Sequence, residues 1–464
     1  MKRYLGSALF MAACILTTAC VVEPTKQANS NGNVAASPAP TATISPTPVS
    51  EKASKTEALT LPVLDAFLAN ESFSGLLKSR LQLTDEQIVK LKEAAHSDTA
   101  KLSEASAGTS SGETARARTT AKETITKIIG AEKAQQLEAL IAEQWTGDNE
   151  SAADKTATQS VSNEVPTDSR VVVNAPAYRM DIFESGRLIK SYKIGIGYPQ
   201  FPLPTGLRKA RVIIFNPTWT PPDEPWVAKM KDVRVGEKVE AGSKLNPLGP
   251  VKIPIGGPSL IHGGKPPAKI GTFASHGCVG LTTPQVHDFA KRLAQLGGAQ
   301  LTDADIAAYE RNKTETKEVK LTNAVPVELR YETILVEDGK LHIYRDVYDQ
   351  ETNTEENLRA VLEANGIHFE DLTEDVRAQI LDALTQMSGS STSQTTPSPR
   401  DKSGNKPENA SPSASPGKST AKKPLPRATK NQNEIVIEIA ALTGKGYPAP
   451  VELDTGAGKG KSKK

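Results

Sequence analysis

The sequence predicts a multidomain protein. Its central domain is expected to be mainly β, sandwich-like or barrel-like with one or more helices, preceded by a small helical region and flanked by disordered linkers. Three observations support this prediction. At 464 residues the chain is long enough for more than one domain. Apolar residues alternate in short runs between turn residues over 168–303, but recur at helical spacing over 58–146. Stretches rich in Pro, Ser, Thr and Ala separate these parts.

The N-terminus, residues 1–20, has the composition of an export signal. A basic start precedes an apolar run at 5–16, which is too short for an ordinary membrane-spanning helix. Ala-Cys after such a run resembles a bacterial lipobox, which would make Cys20 the acylated first residue of a lipoprotein. The segment departs from the usual lipobox at Thr17, where leucine is usual. The alternative to a lipoprotein signal is an ordinary secretory signal. A lipid at Cys20 would hold the protein in the periplasm, at the outer membrane if one is present.

A linker and a helical region follow. The Pro/Ser/Thr/Ala linker at 21–57 is expected to be extended and unpacked. In the helical region at 58–146, Thr84 with Gln87 three places on forms a capping-box pattern at the start of one helix. We expect this region to be a spacer or a docking bundle, followed by a polar linker at 147–167.

The central domain at 168–303 is predicted from short strands and one helix. Val171–Val173 and Met180–Phe183 are typical strand segments, and long proline-rich loops follow them. The segment 284–296 places Val286, Phe289, Ala290 and Leu293 on one face, which predicts an amphipathic helix.

Two further parts complete the chain. An extension at 304–387 is predicted to contain a hairpin that joins 325–329 to 341–344, and then helices from 354 onwards. The last part, 388–464, is predicted to be a disordered basic tail with a short apolar segment, Ile435–Ile439, which is a late strand or a docking segment. The basic residues at the end are solvated or attract an anionic envelope polymer.

The feature with most chemical content is Ser275-His276-Gly277-Cys278. The chain has three cysteines, and Cys278 is the one outside the signal segment, so it has no partner for a disulfide within the mature domains. A histidine close to a free thiol can take its proton or stabilise the thiolate, which is the nucleophile. Gly277 leaves room for an approaching substrate. An inert buried cysteine is the alternative.

These residues resemble a known family. Ile261-His262-Gly263 followed by Ser275-His276-Gly277-Cys278-Val279 is similar to the signature of L,D-transpeptidases with a YkuD-type catalytic domain. The resemblance extends over about 168–303, through Pro204-Thr205-Gly206 and Asn246-Pro247-Leu248-Gly249. It implies a mainly β YkuD-like catalytic domain without a metal or another cofactor.

The resemblance also implies roles for these residues. Cys278 would be the nucleophile and His262 the proton donor and acceptor, with its tautomer held by the Gly263 carbonyl. From the residues alone, His276 competes for the role of base. Ser275 would shape the loop, and the Gly277 and Cys278 N–H groups would stabilise the oxyanion.

The implied substrate is the peptidoglycan stem peptide, cleaved before its terminal D-Ala through a thioester. The acceptor amine would belong to another stem, giving a 3-3 cross-link, or to a protein; with water as acceptor the enzyme is an L,D-carboxypeptidase. Tyr178, Trp219 and Trp226 are candidate groove residues, although core packing is the more common role of an aromatic residue. One departure concerns Gly280, where the family usually has arginine; Lys265, Lys269 or Arg292 could compensate.

A second class of function stays open on the sequence alone. A non-catalytic lipoprotein that binds the cell wall or responds to envelope stress would use the same domain as a binding module, but it would not need a thiolate. The expected partners are therefore stem peptides, an acceptor protein and, through the lipid, a membrane. The formal net charge of +2 gives no overall field that favours nucleic acid.

Overall fold

The computed structural model describes residues 59–102, 112–146, 163–388 and 433–457. The predicted signal, the lipidation site Cys20 and the linker at 21–57 lie outside these ranges, as does most of the linker at 147–167. Within the described ranges, no helix combines the length and the apolar character that crossing a membrane requires.

Five helices form a compact unit, the helical module, from the described residues between 59 and 146. They are α1 Leu61–Leu68, α2 Glu71–Leu81, α3 Asp85–Thr99, α4 Glu113–Ile129 and α5 Ala131–Thr146. The predicted capping box is present, because Thr84 and Gln87 each satisfy a backbone N–H of the other at the start of α3. Leu64, Leu77 and Leu91 pack with the apolar face of α5 in a core separate from that of the sheet.

The central domain is a curled eight-stranded sheet, as the sequence predicts for a mainly β fold. Its strands are β1 Arg170–Asn174, β2 Arg179–Glu184, β3 Arg187–Lys193, β5 Gly206–Phe215, β6 Val251–Pro254, β7 Leu260–His262, β9 Val279–Gly280 and β10 Lys317–Arg330. Their order is β3-β2-β1-β10-β5-β6-β7-β9. A separate parallel pair joins β4 Ile196–Gly197 to β8 Phe273–Ser275.

Three helices accompany this sheet: the short α6 Pro225–Ala228, α7 Thr283–Leu296 and α8 Asp303–Arg311. The predicted amphipathic helix is α7, which begins at a Thr282–Gln285 capping box. Its apolar face, with Val286, Phe289 and Leu293 fully buried, packs against the sheet. The chain enters α7 directly from β9, so this helix fixes the strand that follows Cys278.

The prediction that 325–329 and 341–344 pair with each other in a hairpin is wrong. Residues 325–329 belong to β10, which pairs in parallel with β1 and antiparallel with β5 inside the main sheet. The hairpin instead joins β11 Ile334–Glu337 to β12 Lys340–Tyr344. The main sheet therefore continues to residue 330, beyond the boundary expected at 303. Alternating apolar residues identify a strand but do not identify its neighbour.

Residues 433–457 are ordered within a part of the chain that the sequence predicted to be a mainly disordered tail, and the late strand is the alternative that the structure contains. The apolar segment forms β13 Glu434–Glu438, which pairs with β12, and α9 Glu355–Ala364 and α10 Glu374–Met387 cover this small sheet. Isoleucines of β13 supply part of its core, which is the physical reason that 433–457 are ordered.

Candidate active site

Strand pairing brings Cys278 and His262 to the same part of the sheet. β7 and β9 are parallel neighbours, with Ile261 opposite Val279 and His262 opposite Gly280. Cys278 precedes β9 by one residue and so lies level with Leu260. Side chains two residues apart on a strand share a face, so Cys278 and His262 lie on one face of the sheet.

His262 is buried and held in one orientation. Its Nδ1 lies 2.9 Å from the Gly263 carbonyl oxygen. A carbonyl only accepts, so this bond places the proton on Nδ1 and leaves Nε2 as the acceptor. Burial, reinforced by the Lys265 charge, lowers the pKa of His262 to about 3, against backbone hydrogen bonds that raise it. The imidazole is therefore neutral at neutral pH and can accept a proton.

Ser275 closes the turn at 275–278, the nucleophile turn, which carries the predicted nucleophile Cys278. Its Oγ donates to the Cys278 carbonyl at 2.6 Å and accepts from the Cys278 N–H at 3.0 Å. Gly277 has a φ of +90°, in the left-handed region, and an added Cβ would meet open space. Because the Cys278 N–H donates to Ser275, it is not available to an oxyanion in this arrangement, contrary to the prediction above.

An aromatic cage, consisting of Tyr198, Phe201 and Trp226, surrounds the His276 ring. Trp226 stacks on His276 with ring centroids 4.5 Å apart and an 11° angle between the planes. Tyr198 and Phe201 approach edge-on, at 5.3 Å and 4.9 Å. Burial in this cage, with the Lys265 charge, lowers the pKa of His276 to about 3. No periodic pattern in the sequence predicts this cage, since its members come from proline-rich segments.

Lys265 is the cation at this site. Its Nζ donates to the Ala274 carbonyl at 2.7 Å, directly before the nucleophile turn. An added Cβ on Gly280 would lie 2.8 Å from Lys265 Cγ, so the lysine stem occupies the space that a side chain at 280 would need. Arg292 instead pairs with Asp288 on α7 at 3.1 Å. Of the three cations considered above, Lys265 is the one whose charge acts on His262, His276 and Cys278.

Cys278 is half-buried as a residue. Burial of the sulfur raises the pKa of Cys278, and the buried Glu224 carboxylate adds to the rise, whereas the Leu260 backbone and Lys265 lower it. With the pKa of His262 lowered at the same time, the resting pair is a neutral thiol and a neutral imidazole. Such a pair suits transfer of the thiol proton during attack rather than a preformed ion pair.

The remaining predicted residues lie further away. Tyr178 is buried in the sheet core beside Phe273, so it does not line an open groove. Trp219 stacks on Trp226 at 5.9 Å and supports the cage from behind. Glu224, which accepts a hydrogen bond from the Trp226 indole at 2.8 Å, had no sequence signal. Among the described residues, no three His, Cys, Asp or Glu side chains gather as a metal site would require.

The comparisons with known proteins concern this same part of the chain. Residues 168–318 match the model of the YkuD family, the L,D-transpeptidase catalytic domain. The catalytic domain of the E. faecium L,D-transpeptidase is 14% identical over 36% of this chain and 98% of that one, with a TM-score of 0.23. An L,D-transpeptidase from Mycobacterium smegmatis is 14% identical over 35% of this chain and 58% of that one, with a TM-score of 0.20. The match to an avibactam carbamoyl enzyme, Ldtfm, spans about half of that chain, 49%. The comparison with curated proteins gave no match.

Proposed function

We propose that this chain, whose residues 168–318 match the L,D-transpeptidase catalytic domain, is an L,D-transpeptidase that acts on peptidoglycan stem peptides through Cys278. One observation carries the proposal: the β7–β9 pairing places His262 and Cys278 on one face of the sheet. The Gly263 carbonyl holds the histidine in the tautomer that a base requires.

The first half-reaction is acylation. The Cys278 sulfur attacks the carbonyl carbon of the third stem residue while its proton passes to His262 Nε2. The bond to the terminal D-Ala then breaks, and the proton on His262 goes to the leaving amine. This leaves a thioester on Cys278 and releases D-Ala. The Gly277 N–H is the candidate donor to the oxyanion, because the Cys278 N–H donates to Ser275.

The second half-reaction transfers the acyl group to an acceptor. An amine gives up its proton to His262 and attacks the thioester carbonyl; the bond to the Cys278 sulfur breaks as the new amide forms, and the sulfur takes the proton back from His262. With a second stem as acceptor the product is a 3-3 cross-link, and with a protein amine it is a protein attached to the wall. Water as acceptor would make the enzyme an L,D-carboxypeptidase. An exported chain with a lipid on Cys20 would carry out this reaction in the periplasm, anchored to a membrane.

The test is intact-mass analysis of the whole chain after incubation with a carbapenem, whose strained lactam amide a reactive thiol opens to a covalent acyl adduct. We expect one adduct, and peptide mapping must place it on Cys278 because the chain also contains Cys14 and Cys20. Cys278→Ala should form none at that site. His262→Gln keeps the thiol but should acylate about 10²-fold more slowly or worse, since general-base catalysis contributes 10²–10⁴-fold.

The outcomes separate the candidate functions. If the parent forms the adduct, mass analysis of its products from a disaccharide-tetrapeptide identifies the acceptor. A cross-linked dimer indicates a second stem, and a hydrolysed tripeptide indicates water. A folded parent that forms no adduct on Cys278 would overturn the transpeptidase mechanism. It would favour the non-catalytic wall-binding lipoprotein, for which sedimentation with isolated cell walls should be the same in the parent and in Cys278→Ala.

A further inference from the structure

The aromatic cage of His276 is built from two separate loop segments. Tyr198 and Phe201 stand on 198–201, and Trp226 stands on α6. Neither segment belongs to the main sheet. Their positions therefore depend on what else they contact.

The helical module holds the first segment at Gln200, between the two aromatic residues. The Thr60 hydroxyl donates to the Gln200 carbonyl at 2.5 Å. The Gln200 side-chain amide donates to the Glu113 carboxylate at 3.2 Å. These bonds come from two helices, at the start of α1 and at the start of α4, so they fix the segment in two directions.

The module holds the second segment at both ends of α6. Before the helix, Asp223 pairs with Lys92 of α3 at 3.1 Å. After it, the Lys229 ammonium donates to the carbonyls of Ala100 and Leu102, at 3.2 Å and 2.7 Å, at the end of α3. Trp226 lies between these anchors.

A third contact lies at the turn that leads into β7. An added Cβ on Gly257 would lie 2.8 Å from Trp145 Cδ1 and 3.2 Å from Phe67 Cζ. Trp145 and Phe67 belong to the core of the module, so aromatic side chains of the module pack directly on this backbone. β7 ends at His262. The module thus touches three segments that form the candidate active site.

We propose that the helical module is part of the active site: by holding the segments that carry Tyr198, Phe201 and Trp226, it positions the His276 ring beside the nucleophile turn. Thr60, Lys92 and Lys229 are then positioning residues, which act through the cage and touch neither substrate nor thiol. The test measures an acylation rate, which rests on the proposed function, and the titration of His276, which does not.

The experiment loosens the anchors and leaves the cage residues in place. The variant is Thr60→Val/Lys92→Met/Lys229→Met in the whole chain. Its matched control is Thr84→Val/Lys90→Met/Lys291→Met, which also removes one threonine N-cap and the polar contacts of two lysines, but whose bonds stay within the module or within the central domain. NMR of labelled histidine, assigned with a His276→Asn sample, follows the titration of His276, and the carbapenem acylation rate is measured in parallel.

We expect the anchor variant to admit water to the cage. The titration midpoint of His276 should rise from about 3, by roughly one unit or more towards the value of an exposed histidine. The acylation rate should fall by roughly tenfold or more, because a displaced group loses its orientation. His262, held by its own backbone neighbour, should not shift. Trp226→Leu removes the stacking ring directly and should reproduce both effects.

Each other result decides against the proposal. A His276 titration and an acylation rate equal to those of the matched control would show that the module is only a spacer. A shift in Trp226→Leu without one in the anchor variant would show that the cage matters but that the module does not hold it. Lys229→Met alone, at an exposed side chain, is the milder variant if the triple change reduces folding. A parent that forms no adduct counts against the transpeptidase assignment, and the His276 titration still tests the module.

Discussion

At the scale of single residues, the unexpected feature is the cation. Lys265 reaches the site from the loop after β7, and its stem lies over Gly280, the position at which the family usually has an arginine. A Cβ at position 280 would require the lysine stem to shift.

Lys265→Met should make the nucleophile less reactive at neutral pH. The lysine lowers the pKa of Cys278 against the larger opposing effect of burial, so removing its charge should raise that pKa further. The rate of iodoacetamide alkylation, measured on the peptide that carries Cys278, should fall several-fold at pH 7.5, since one pKa unit is a tenfold change in thiolate fraction. The alkylation profile should move to higher pH.

Two further variants define this effect. Lys265→Arg keeps a cation and should alkylate nearly as the parent does, whereas Lys269→Met removes a charge from the same loop and should leave the profile in place. An alkylation profile of Lys265→Met that superimposes on that of the parent would show that the charge does not act on the thiol.

The sequence singled out the chemically rare residues as candidates but did not indicate how the aromatic residues around them are arranged. Cys278 and His262 were identifiable because a lone thiol and a His-Gly pair are uncommon. Trp226 and Glu224 follow a proline-rich loop whose path has no periodicity, so the stacking of Trp226 on His276 depends on tertiary packing alone. Tyr178 was considered for the groove but lies in the core, which is the more common place for an aromatic residue.

At the scale of elements, local patterns decided which predictions hold. The predicted α7 has a capping box and an apolar face, both encoded within one helix, and the structure has it at Thr283–Leu296. The pairing of β10 is set by strands more than a hundred residues away, so its alternating pattern fitted a hairpin equally well. The contact between the module and α6 is likewise non-local, and it places two carboxyl groups in one buried region.

The interface between α1 and the α6 loop should weaken as the pH rises above 6.5. Burial raises the pKa of Asp65 to about 6, with Asp223 adding to the rise and Thr99, His96 and Lys92 of α3 opposing it. Burial and the charge of Asp65 raise the pKa of Glu224 to about 7, against the Trp226 hydrogen bond. An acid with a raised folded pKa stabilises the fold below its unfolded pKa, and this stability is lost as the pH rises through the folded value.

His262 and His276 have the opposite slope, which extends to about pH 7.5 because unfolded histidines are half protonated near pH 6.5. Between pH 6.5 and 8, loss of the Glu224 proton should cost about 1 kcal/mol, or ~2–4 °C in Tm, and the two histidines offset a similar amount in the parent. Calorimetry of the parent and of Glu224→Gln isolates the Glu224 contribution, since the Tm of the variant should rise by this amount relative to that of the parent over the same pH range. Glu240→Gln, at an exposed glutamate in the same segment between β5 and β6, is the control. An unchanged slope in Glu224→Gln would contradict the assignment.

At the scale of the whole molecule, the two ends of the described chain both serve the central domain. The helical module covers the loops around His276, and 433–457 return to the far edge of the main sheet. There β3 is the edge strand, and its Ser191 and Lys193 N–H groups donate to the carbonyls of Val451 and Asp454, at 2.9 Å and 2.8 Å. This cover removes an unpaired strand edge, which otherwise favours association with other chains.

Tyr447 is the side chain through which this returning segment is held. Its ring is buried with Phe183 and Leu188, and Arg179 lies over it at 5.4 Å. Tyr447→Ala should therefore cost about 3–5 kcal/mol, the usual range for truncating a buried aromatic residue, and should lower Tm by roughly 6–20 °C if unfolding is cooperative. Light scattering on heating should show earlier association as well, because the β3 edge is uncovered.

Tyr447→Phe, which loses only a 3.3 Å contact to Asp181, should cost about 1 kcal/mol. Leu453→Ala, at an exposed position of the same segment, should cost less than about 0.5 kcal/mol. If Tyr447→Ala melts with the parent, the returning segment does not contribute to the stability of the sheet, and its order follows from the β12–β13 pairing alone.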